Sequence, residues 1–431
     1  MKAKKIIYLE KMLRMMAVVV LKRHNPKIVA ITGSVGKTSA KAAVFAVLSS
    51  KYHVRENQKN YNNEIGIPLT IIGADSGGNN IFKWLWIFFK WIFVIVFPGY
   101  PEILVLELGV DRPGDMKYFM SFIEPVVGIV TNVSLSHIEF FKTVENIAKE
   151  KRVLIEAMTQ NDYAILNADD ENVIKMNQDT SAQIVSFGQT DDAKVNASSL
   201  VYNYHEDKPE GISFKLNYEG KNIPIRLKNI LAGHYVYAAL VGASAGIIFK
   251  INLVDIAKAL ELFRSPQGRM NLVAGANGSF IIDDTYNASP MSTVAALNVL
   301  EELKAKRRIA VLGDMLELGD LMKAGHSEVV RKVFSIKADI FIAVGTRMKE
   351  AVGELIKVGF PSANIFQFDD PESAGKKVRE LVSAGDFILV KGSQGMRMEK
   401  VVERILKNPS EGKNLLCRQS AEWQKKPFAK P

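Results

Sequence analysis

The feature that most constrains this chain is a glycine-containing turn between an apolar run and a segment with helical spacing. The turn reads Thr-Gly-Ser-Val-Gly-Lys-Thr-Ser over residues 32–39, after the apolar run 27–32 and at the start of the segment 37–50. Glycines let backbone amides converge on phosphate oxygens, and the N-terminus of the following helix adds positive potential. The pattern therefore predicts a phosphate-binding loop at the end of a buried strand.

In such a loop, Lys37 is expected to reach the terminal phosphates of a nucleotide, and the Thr38 hydroxyl is expected to ligate Mg²⁺. The strict eight-residue nucleotide-binding pattern requires glycine at position 31, where this chain has Ile31. The loop is thus a shorter variant of the same design. The residues predicted to bind ATP are Gly33, Ser34, Val35, Gly36, Lys37, Thr38 and Ser39.

Further apolar runs alternate with helical segments along the chain, which favours a parallel sheet with helices on both faces. The runs 103–108 and 126–131 are predicted to be buried strands of this sheet. Residues 182–225 contain shorter alternating segments and are predicted to form an antiparallel extension. The strand-and-helix rhythm restarts beyond Ser-Pro-Gln-Gly at 265–268, with strands predicted at 279–282, 308–313, 340–345 and 387–391.

A chain of 431 residues is too long for one ordinary core, so we expect two or three domains. The predicted fold is α/β: a parallel-sheet P-loop ATPase domain followed by a smaller Rossmann-like domain. The predicted divisions are an N-terminal amphipathic helix at 1–26, a central ATP-binding domain at 27–263 with an apolar insert at 81–98, a C-terminal domain at 264–408, and a loosely ordered tail at 409–431.

The net charge of +10 indicates anionic partners such as nucleotides, phosphates or a lipid surface. The basic residues are not interleaved with aromatic residues in the manner of nucleic-acid-binding proteins, so no nucleic-acid partner is expected. The single cysteine, Cys417, excludes an internal disulfide and fits a reducing compartment. With no secretory signal evident, the prediction is a cytoplasmic protein.

The apolar insert allows three interpretations. It is a helical hairpin or lid buried on the domain, a helix lying in the membrane interface, or a membrane span interrupted by Lys83 and Lys90. Together with the basic chain ends, the interfacial interpretation predicts a peripheral contact of residues 81–98 with the inner face of the membrane. A protein partner is not indicated.

One acidic side chain and one histidine lie at the ends of predicted strands, at positions suited to binding a metal ion. Glu107 lies at the end of one strand and His137 just past the end of another. Because hard ions prefer oxygen ligands, Glu107 is a candidate for Mg²⁺ and His137 a second ligand. The alternatives are an ordinary salt bridge for Glu107 and a structural role for His137.

Several segments, taken in order, resemble the Mur ligases, and within that family the MurF subfamily. They are Thr-Gly-Ser-Val-Gly-Lys-Thr-Ser at 32–39, Asn-Tyr-Asn-Asn-Glu-Ile-Gly-Ile-Pro at 60–68, Val-Leu-Glu-Leu-Gly at 105–109, Thr-Asn-Val-Ser at 131–134 with His137, Ile-Ala-Lys-Glu-Lys at 147–151, Asn-Ala-Asp-Asp at 167–170, Asp-Asp-Thr-Tyr-Asn-Ala-Ser-Pro at 283–290, Val-Leu-Gly-Asp-Met at 311–315 and Lys-Gly-Ser at 391–393.

The resemblance implies an ATP-dependent, Mg²⁺-dependent ligase of peptidoglycan synthesis. It would join D-alanyl-D-alanine to a nucleotide-linked muramoyl-tripeptide through an acyl phosphate. The implied catalytic residues are Lys37, Glu107, His137 and Lys151. By the same resemblance, Lys151 takes up carbon dioxide and its carbamate becomes a metal ligand beside Thr38; Lys149 is the competing position.

The resemblance also assigns binding residues. Arg269 and Asn287 are implied in nucleotide binding, and closure of the two domains about a hinge would exclude water from the acyl phosphate. The residues implied in binding substrate are Asn62, Asn63, Asp284, Tyr286, Lys391 and Ser393.

The chain departs from the family in several places, two of which concern nucleotide binding. The phosphate loop begins at residue 32, which leaves no room for the N-terminal domain that grips the uridine diphosphate. The family's His-Asn-x-x-Asn reads His-Tyr-Val-Tyr-Ala at 234–238. The alternatives left open are another ligase of the superfamily, of the folylpolyglutamate or cyanophycin type or acting on a lipid-linked acceptor, and a non-catalytic ATP-binding scaffold.

Overall fold

A computed structural model describes residues 4–58, 61–78, 80–134, 138–206 and 208–429, and they divide into two compact units. The first unit comprises Met1–Val201, Ser213–Leu227 and His234–Phe263. The second comprises Tyr202–Ile212, Lys228–Gly233 and Arg264–Pro431.

A mixed sheet organises the first unit, and nine strands of it lie in the described part of the chain. They are β1 (Lys27–Thr32), β2 (Val54–Glu56), β3 (Ile103–Glu107), β4 (Val127–Val130), β5 (Tyr163–Asn167), β6 (Gln183–Gly188), β7 (Val195–His205), β8 (Lys208–Tyr218) and β9 (Lys221–Lys228). Their spatial order is β2-β3-β1-β4-β5-β6-β7-β8-β9.

Strand β1 lies between β3 and β4 and pairs with both in parallel. All but the first of its residues are buried, as expected of an apolar strand covered on both faces. Because parallel strands end at the same edge of a sheet, the loop after β1, Glu107 at the end of β3 and the segment after β4 lie side by side.

The predicted antiparallel extension is wrong for its first two strands. Strand β6 pairs with β5 in parallel, and Phe187 and Gly188 of β6 pair with the start of β7 in parallel. Short alternating segments do not reveal strand direction, because the side-chain period is the same in parallel and antiparallel strands.

Ten helices of the first unit lie within the described ranges. They are α1 (Lys4–His24), α2 (Lys37–Leu48), α3 (Gly66–Ile72), α4 (Ile81–Val96), α5 (Asp115–Met120), α6 (Ile138–Phe141), α7 (Val144–Glu156), α8 (Glu171–Ile174), α9 (Tyr235–Ile248) and α10 (Leu253–Leu262). Helices α2 and α9 pack closely against each other beside the sheet. In the part of the chain that the structure describes, no helix is both long and apolar enough to cross a membrane.

The apolar insert forms a single helix, α4, so its interpretation as a helical hairpin is wrong. Asn80 caps the helix by accepting hydrogen bonds from the amides of Phe82 (2.9 Å) and Lys83 (3.3 Å). Within the helix only Ile87 is fully buried. The alternative of a lid buried on the domain is therefore wrong as well.

The second unit is built on a six-stranded sheet within the described residues. Its strands are β10 (Asn271–Ala274), β11 (Phe280–Asp284), β12 (Arg307–Gly313), β13 (Ile340–Val344), β14 (Ile365–Phe368) and β15 (Asp386–Lys391), in the order β10-β11-β15-β12-β13-β14. Only β10 is antiparallel to its neighbour. The helices are α11 (Pro290–Glu302), α12 (Met322–Ser335), α13 (Thr346–Lys357), α14 (Pro371–Leu381), α15 (Glu399–Ile405), α16 (Gly412–Leu415) and α17 (Ala421–Gln424).

The C-terminal segment, predicted to be a loosely ordered tail at 409–431, is packed through residue 429. It forms α16 and α17, and it buries Leu416, Cys417 and Arg418. The Arg397 guanidinium donates to the carbonyls of Trp423 (2.7 Å) and Lys426 (2.6 Å). A polar composition concealed this packing because one of the buried residues, Arg418, is charged and finds its partners elsewhere in the unit.

Candidate active site

The phosphate loop requires glycine at two positions for different reasons. Gly36, immediately before α2, has a φ of 82°, which glycine adopts without strain. A Cβ atom at Gly33 would lie 1.9 Å from the Thr131 hydroxyl oxygen. The Lys37 ammonium folds back over the loop and donates to the Gly33 carbonyl at 2.7 Å.

The segment that follows β4 holds the loop in place. The Val35 amide donates to the Asn132 side-chain oxygen at 2.7 Å, and the Thr131 hydroxyl donates to the Val35 carbonyl at 2.7 Å. The Ser34 hydroxyl donates to the Ser134 carbonyl at 3.0 Å. These contacts fix the loop and the start of the predicted histidine segment to each other. His137 itself lies outside the described residues.

Glu107 is buried at the end of β3, with 5% of its surface exposed. The Asn62 side-chain amide donates to its carboxylate at 3.2 Å. Asn57 donates to the Glu107 carbonyl (3.2 Å) and accepts from its amide (2.8 Å), which secures the backbone. The carboxylate is thus oriented by its neighbours while it stays beside the loop.

The two asparagines of the 60–68 motif have different surroundings. Asn62 contacts Glu107, whereas the Asn63 side chain accepts from the Gly66 amide at 2.9 Å at the start of α3. Asn63 is accordingly occupied in shaping the turn. The motif therefore supplies one residue that faces the carboxylate and one that builds the helix start.

Lys151 is a buried and strongly perturbed group of the first unit. It lies on α7 with 3% of its surface exposed, and the structure gives its ammonium no hydrogen-bond acceptor among the described residues. Burial, and secondarily the Lys37 charge, lower the pKa of Lys151 to about 7; Asp111 and Glu150 oppose this. The competing Lys149 is exposed. The structure therefore distinguishes two lysines that the sequence could not.

The predicted metal ligands are brought to one edge of the sheet only in part. Thr38 at the start of α2 and Glu107 at the end of β3 flank the loop after β1, and the charges of Lys37 and Lys151 influence each other. Among the residues described, no cluster of three or more histidine, cysteine, aspartate or glutamate side chains is placed to hold a metal ion.

In the second unit, the predicted residues converge at the ends of β11 and β15. The Lys391 ammonium forms a buried ion pair with Asp284 at 2.5 Å and donates to the Asn287 carbonyl at 2.9 Å. The Met270 amide donates to the other oxygen of Asp284 at 3.3 Å. Lys391 therefore fixes the loop that carries the Asp-Tyr-Asn motif.

Ser393 and Asp314 bind backbone at neighbouring strand ends. The Ser393 hydroxyl accepts from the Leu316 amide at 2.8 Å, and its amide donates to the Asp314 carbonyl at 3.1 Å. Burial raises the pKa of Asp314 from its ordinary value, although the Met348 amide donates to its carboxylate at 2.8 Å. Both residues thus fix the loops that follow the strands of this sheet.

Two arginines lie close to the Tyr286 ring, an arrangement that the sequence did not indicate. The Arg269 guanidinium lies 4.1 Å from the centre of its ring, and that of Arg418 lies 5.7 Å from it. Arg418 also donates to the Thr285 carbonyl at 3.1 Å and pairs with the buried Glu399 at 2.6 Å. Arg269 thus lies at the Asp-Tyr-Asn motif together with Arg418 from the C-terminal segment, and its role in nucleotide binding stays a prediction.

Two supporting residues were missed by sequence reasoning. Asn57 follows β2 and has no exposed surface, and Arg418 lies in the segment predicted to be loose. A signal existed only for Asn57, which precedes the 60–68 motif by three residues. Nothing local to Arg418 indicates its role, because that role depends on Glu399 and Thr285 being nearby in the fold.

The segment 234–238, where the family asparagines are replaced, forms the start of α9. Tyr235 is fully buried, while the Tyr237 hydroxyl donates to Asp169 at 2.9 Å. Burial and this hydrogen bond raise the pKa of Tyr237 to about 12. Asp169 also accepts from the Gln189 amide at 2.6 Å. Tyr237, which lies between the two replaced positions, therefore links the helix to the Asn-Ala-Asp-Asp turn.

Two family descriptions match this chain. The Mur ligase middle domain matches residues 96–246, and the Mur ligase glutamate ligase domain matches residues 268–394. Together the two matches contain Glu107, Lys151 and the Asp-Tyr-Asn motif. The phosphate loop precedes the first match.

Several similar proteins are MurF ligases by name. The UDP-N-acetylmuramoyl-tripeptide–D-alanyl-D-alanine ligase of Bacillus subtilis is 28% identical over 398 residues, which are 92% of this chain and 79% of that protein. A crystal structure of MurF from Acinetobacter baumannii has a TM-score of 0.76 at 24% identity, covering 91% of this chain and 79% of the other. MurF from Thermotoga maritima in complex with ADP has a TM-score of 0.73 at 24% identity, and the match covers 94% of this chain and 84% of the other. The two structures establish the fold.

Proposed function

We propose that this chain, which carries the middle and C-terminal domains of the Mur ligases, joins D-alanyl-D-alanine to a UDP-N-acetylmuramoyl-tripeptide at the expense of ATP. The substrates are those in the name of the similar Bacillus subtilis protein. The observation that carries the proposal is the buried, perturbed Lys151 in the same unit as an intact phosphate loop and the oriented Glu107. A protein that only bound ATP would have no need of such a lysine.

The chemistry follows from the weakness of a carboxylate as an electrophile. Transfer of the terminal phosphoryl group of ATP to the tripeptide carboxylate yields an acyl phosphate and ADP. The amine of the dipeptide then attacks the acyl carbon, loses a proton and expels inorganic phosphate. In this scheme, Lys37 and the amides of residues 33–39 hold and neutralise the phosphates.

The residues at the sheet edge fit a hard divalent cation. Glu107 and the Thr38 hydroxyl offer oxygen ligands, which Mg²⁺ prefers, and we assign His137 as a further ligand. When bound, Mg²⁺ neutralises the charge that gathers on the phosphates and the carboxylate. Glu107 is kept in place for this role by Asn62.

A carbamate on Lys151 would complete the oxygen ligands. Carbon dioxide reacts with a neutral amine, and a pKa of about 7 leaves a large neutral fraction at physiological pH. The product bears a negative charge, which the neighbouring Lys37 favours. An ordinary exposed lysine is almost fully protonated under the same conditions.

The second unit contributes binding groups in this proposal. Arg269, stacked on Tyr286, presents a permanent positive charge to the nucleotide phosphates. Asn287 contacts the nucleotide, and Asp284 with Tyr286 positions the incoming amine. Lys391 and Ser393, which bind Asp284 and loop backbone, keep those groups in place.

We further propose that the ligase works in the cytoplasm, where ATP and the nucleotide-linked precursor are available. A peripheral contact of residues 81–98 with the inner face of the membrane belongs to the same proposal. The exposed apolar side chains of α4 support it.

Phosphate release from ATP tests the function. Purified protein is assayed with the muramoyl-tripeptide nucleotide, with D-alanyl-D-alanine, and with both, and the amide product is identified by mass spectrometry. We expect release only with both substrates, and loss of release in Lys151→Ala. Lys149→Ala is the matched control, because it removes a lysine from the exposed face of the same helix.

Three other outcomes would contradict the proposal. Release with folate or aspartyl substrates instead would identify a different ligase of the superfamily. Release only with a lipid-linked acceptor would identify a different form of the substrate. ATP binding without release in any combination would identify a scaffold.

A further inference from the structure

Helix α4 presents a continuous apolar stripe to the surface. Its members recur at intervals of three or four residues, so they lie on one face of the helix. Each of them has at least half of its surface exposed: Phe82 (76%), Leu85 (52%), Trp86 (68%), Phe89 (62%), Phe93 (59%) and Val96 (60%). Large contiguous apolar patches of this kind mark interaction surfaces on soluble proteins.

The opposite face of α4 is firmly attached to the first unit. Ile87 is buried in a cluster with Leu13 and Leu69, and the Trp91 indole donates to the Met16 carbonyl at 2.9 Å. The Lys90 ammonium donates to the Gly73 carbonyl. The helix therefore already has its packing partners, and the exposed stripe is left over after the fold is complete.

Helix α1 lies beside α4 and exposes a second apolar stripe. Tyr8, Met12, Met15 and Val19 follow the same helical spacing and are 72%, 44%, 62% and 38% exposed. The two helices are joined near their C-termini, where the His24 ring contacts the Val94 carbonyl at 2.8 Å. We call the exposed stripes of these two helices the α1–α4 surface.

The charges of the two helices select the partner. Six lysines and arginines in α1 and two in α4 make eight, against one acidic residue, Glu10. Lys5, Lys11, Lys22 and Lys83 are exposed. A surface that combines aromatic and aliphatic side chains with basic ones is complementary to anionic lipid headgroups over acyl chains.

The length of α4 determines how it would meet a membrane. Sixteen residues extend roughly 24 Å, which is less than the hydrocarbon thickness of a bilayer of about 30 Å. With one face fixed to the protein, the helix can lie only in the plane of the interface. Trp86 would then sit at the depth that tryptophan favours.

We infer that the α1–α4 surface binds an anionic phospholipid bilayer, with the α4 stripe inserted among the headgroups and upper acyl chains. The inference rests on the proposed peripheral contact and deepens it by naming the partner as anionic lipid and by adding α1. Its consequence is that the sheet edge with the phosphate loop is held at a fixed distance from the membrane.

Flotation with lipid vesicles tests the inference. Purified full-length protein is mixed with vesicles of phosphatidylcholine alone, or of phosphatidylcholine with phosphatidylglycerol. We expect it to float with the anionic vesicles, less with the neutral ones, and less again as salt is raised. In Phe89→Ser/Phe93→Ser, binding to anionic vesicles should weaken by about tenfold or more, since binding scales with the apolar area inserted.

A matched control removes exposed leucines elsewhere. Leu262 and Leu321 are 73% and 69% exposed outside the α1–α4 surface, so Leu262→Ser/Leu321→Ser should bind vesicles as the unaltered protein does. Phosphate release with soluble substrates should be unchanged in both double variants. That readout separates failure of lipid binding from failure of the proposed ligase activity.

Three results would overturn the inference. One is the absence of binding to anionic vesicles, and another is undiminished binding by Phe89→Ser/Phe93→Ser. The third is light scattering that shows a dimer which this variant abolishes, with no vesicle binding, because the surface would then join two copies of the chain.

Discussion

Lys151 in the first unit and Lys391 in the second are buried to a similar degree, and their surroundings differ. Lys391 is 2% exposed and is paired with Asp284 at 2.5 Å. Lys151 is 3% exposed, and its ammonium has no hydrogen-bond acceptor within the described ranges. A buried charge is tolerated when it is paired and is costly when it is not. The comparison indicates that Lys391 stabilises the loop that carries the Asp-Tyr-Asn motif, whereas Lys151 has a catalytic role.

The largest effect on stability is expected from breaking the ion pair between Lys391 and Asp284. Lys391→Met leaves Asp284 buried without its cation, which should lower the free energy of unfolding by about 3–5 kcal/mol. Denaturant titration measures the loss. In Asp284→Asn/Lys391→Met, where neither charge remains, much of that stability should return; equal losses in the single and double variants would show that the pairing is not what matters.

Removing Lys151 should have the opposite effect on stability. Lys151→Met deletes a charge that burial disfavours, so the metal-free protein should gain stability on the order of a few kcal/mol at neutral pH. Ligation should fall by at least about 100-fold, because a charged group at the reacting phosphates is lost. A variant that is both less stable and fully active would show that Lys151 is merely structural.

The stability gained by Lys151→Met should depend on pH in a defined direction. The folded pKa of about 7 lies below the ordinary value of 10.5, so the unfolded chain binds the extra proton between these values. The penalty is complete below pH 7 and shrinks as pH rises, by about 1.4 kcal/mol per pH unit. Unfolding of both proteins at several pH values above 7 measures the difference; a difference independent of pH would contradict the lowered pKa.

A smaller effect is expected at the Glu107 carboxylate. Asn62→Ala removes the donor that orients Glu107, which should raise the Mg²⁺ concentration needed for half-maximal activity by about tenfold. Stability should change by only about 1 kcal/mol, as for a single hydrogen bond. An unaltered Mg²⁺ requirement would remove Asn62 from the positioning of the metal site.

Much of this arrangement could be predicted from the sequence because it depends on residues that are close together in the chain. The run 27–32 forms β1 within the predicted bounds, and the turn after it has the left-handed Gly36 that its composition indicates. Alternating strands and helices in order also predicted an α/β fold with two sheets. The resemblance placed the acidic and basic side chains at strand ends, where the structure has Glu107 and Lys391.

Other features depend on partners that are distant in the sequence. The packing of the C-terminal segment requires Arg418 to meet Glu399 and the Thr285 carbonyl. The parallel pairing of β6 and β7 could not be predicted, because the spacing of apolar residues in the sequence is the same for parallel and antiparallel strands. The exposure of the α4 stripe could not be predicted either, because an all-round apolar helix is equally consistent with complete burial until its neighbours are known.

The most direct test of the contrast between the two lysines is ¹³C NMR of the protein equilibrated with ¹³C-labelled bicarbonate. We expect a carbamate carbonyl resonance in the unaltered protein and in Lys149→Ala, and none in Lys151→Ala. That result would establish Lys151 as the reactive lysine. A resonance that persists in Lys151→Ala, or one that is absent from all three proteins although ligation proceeds, would contradict the account.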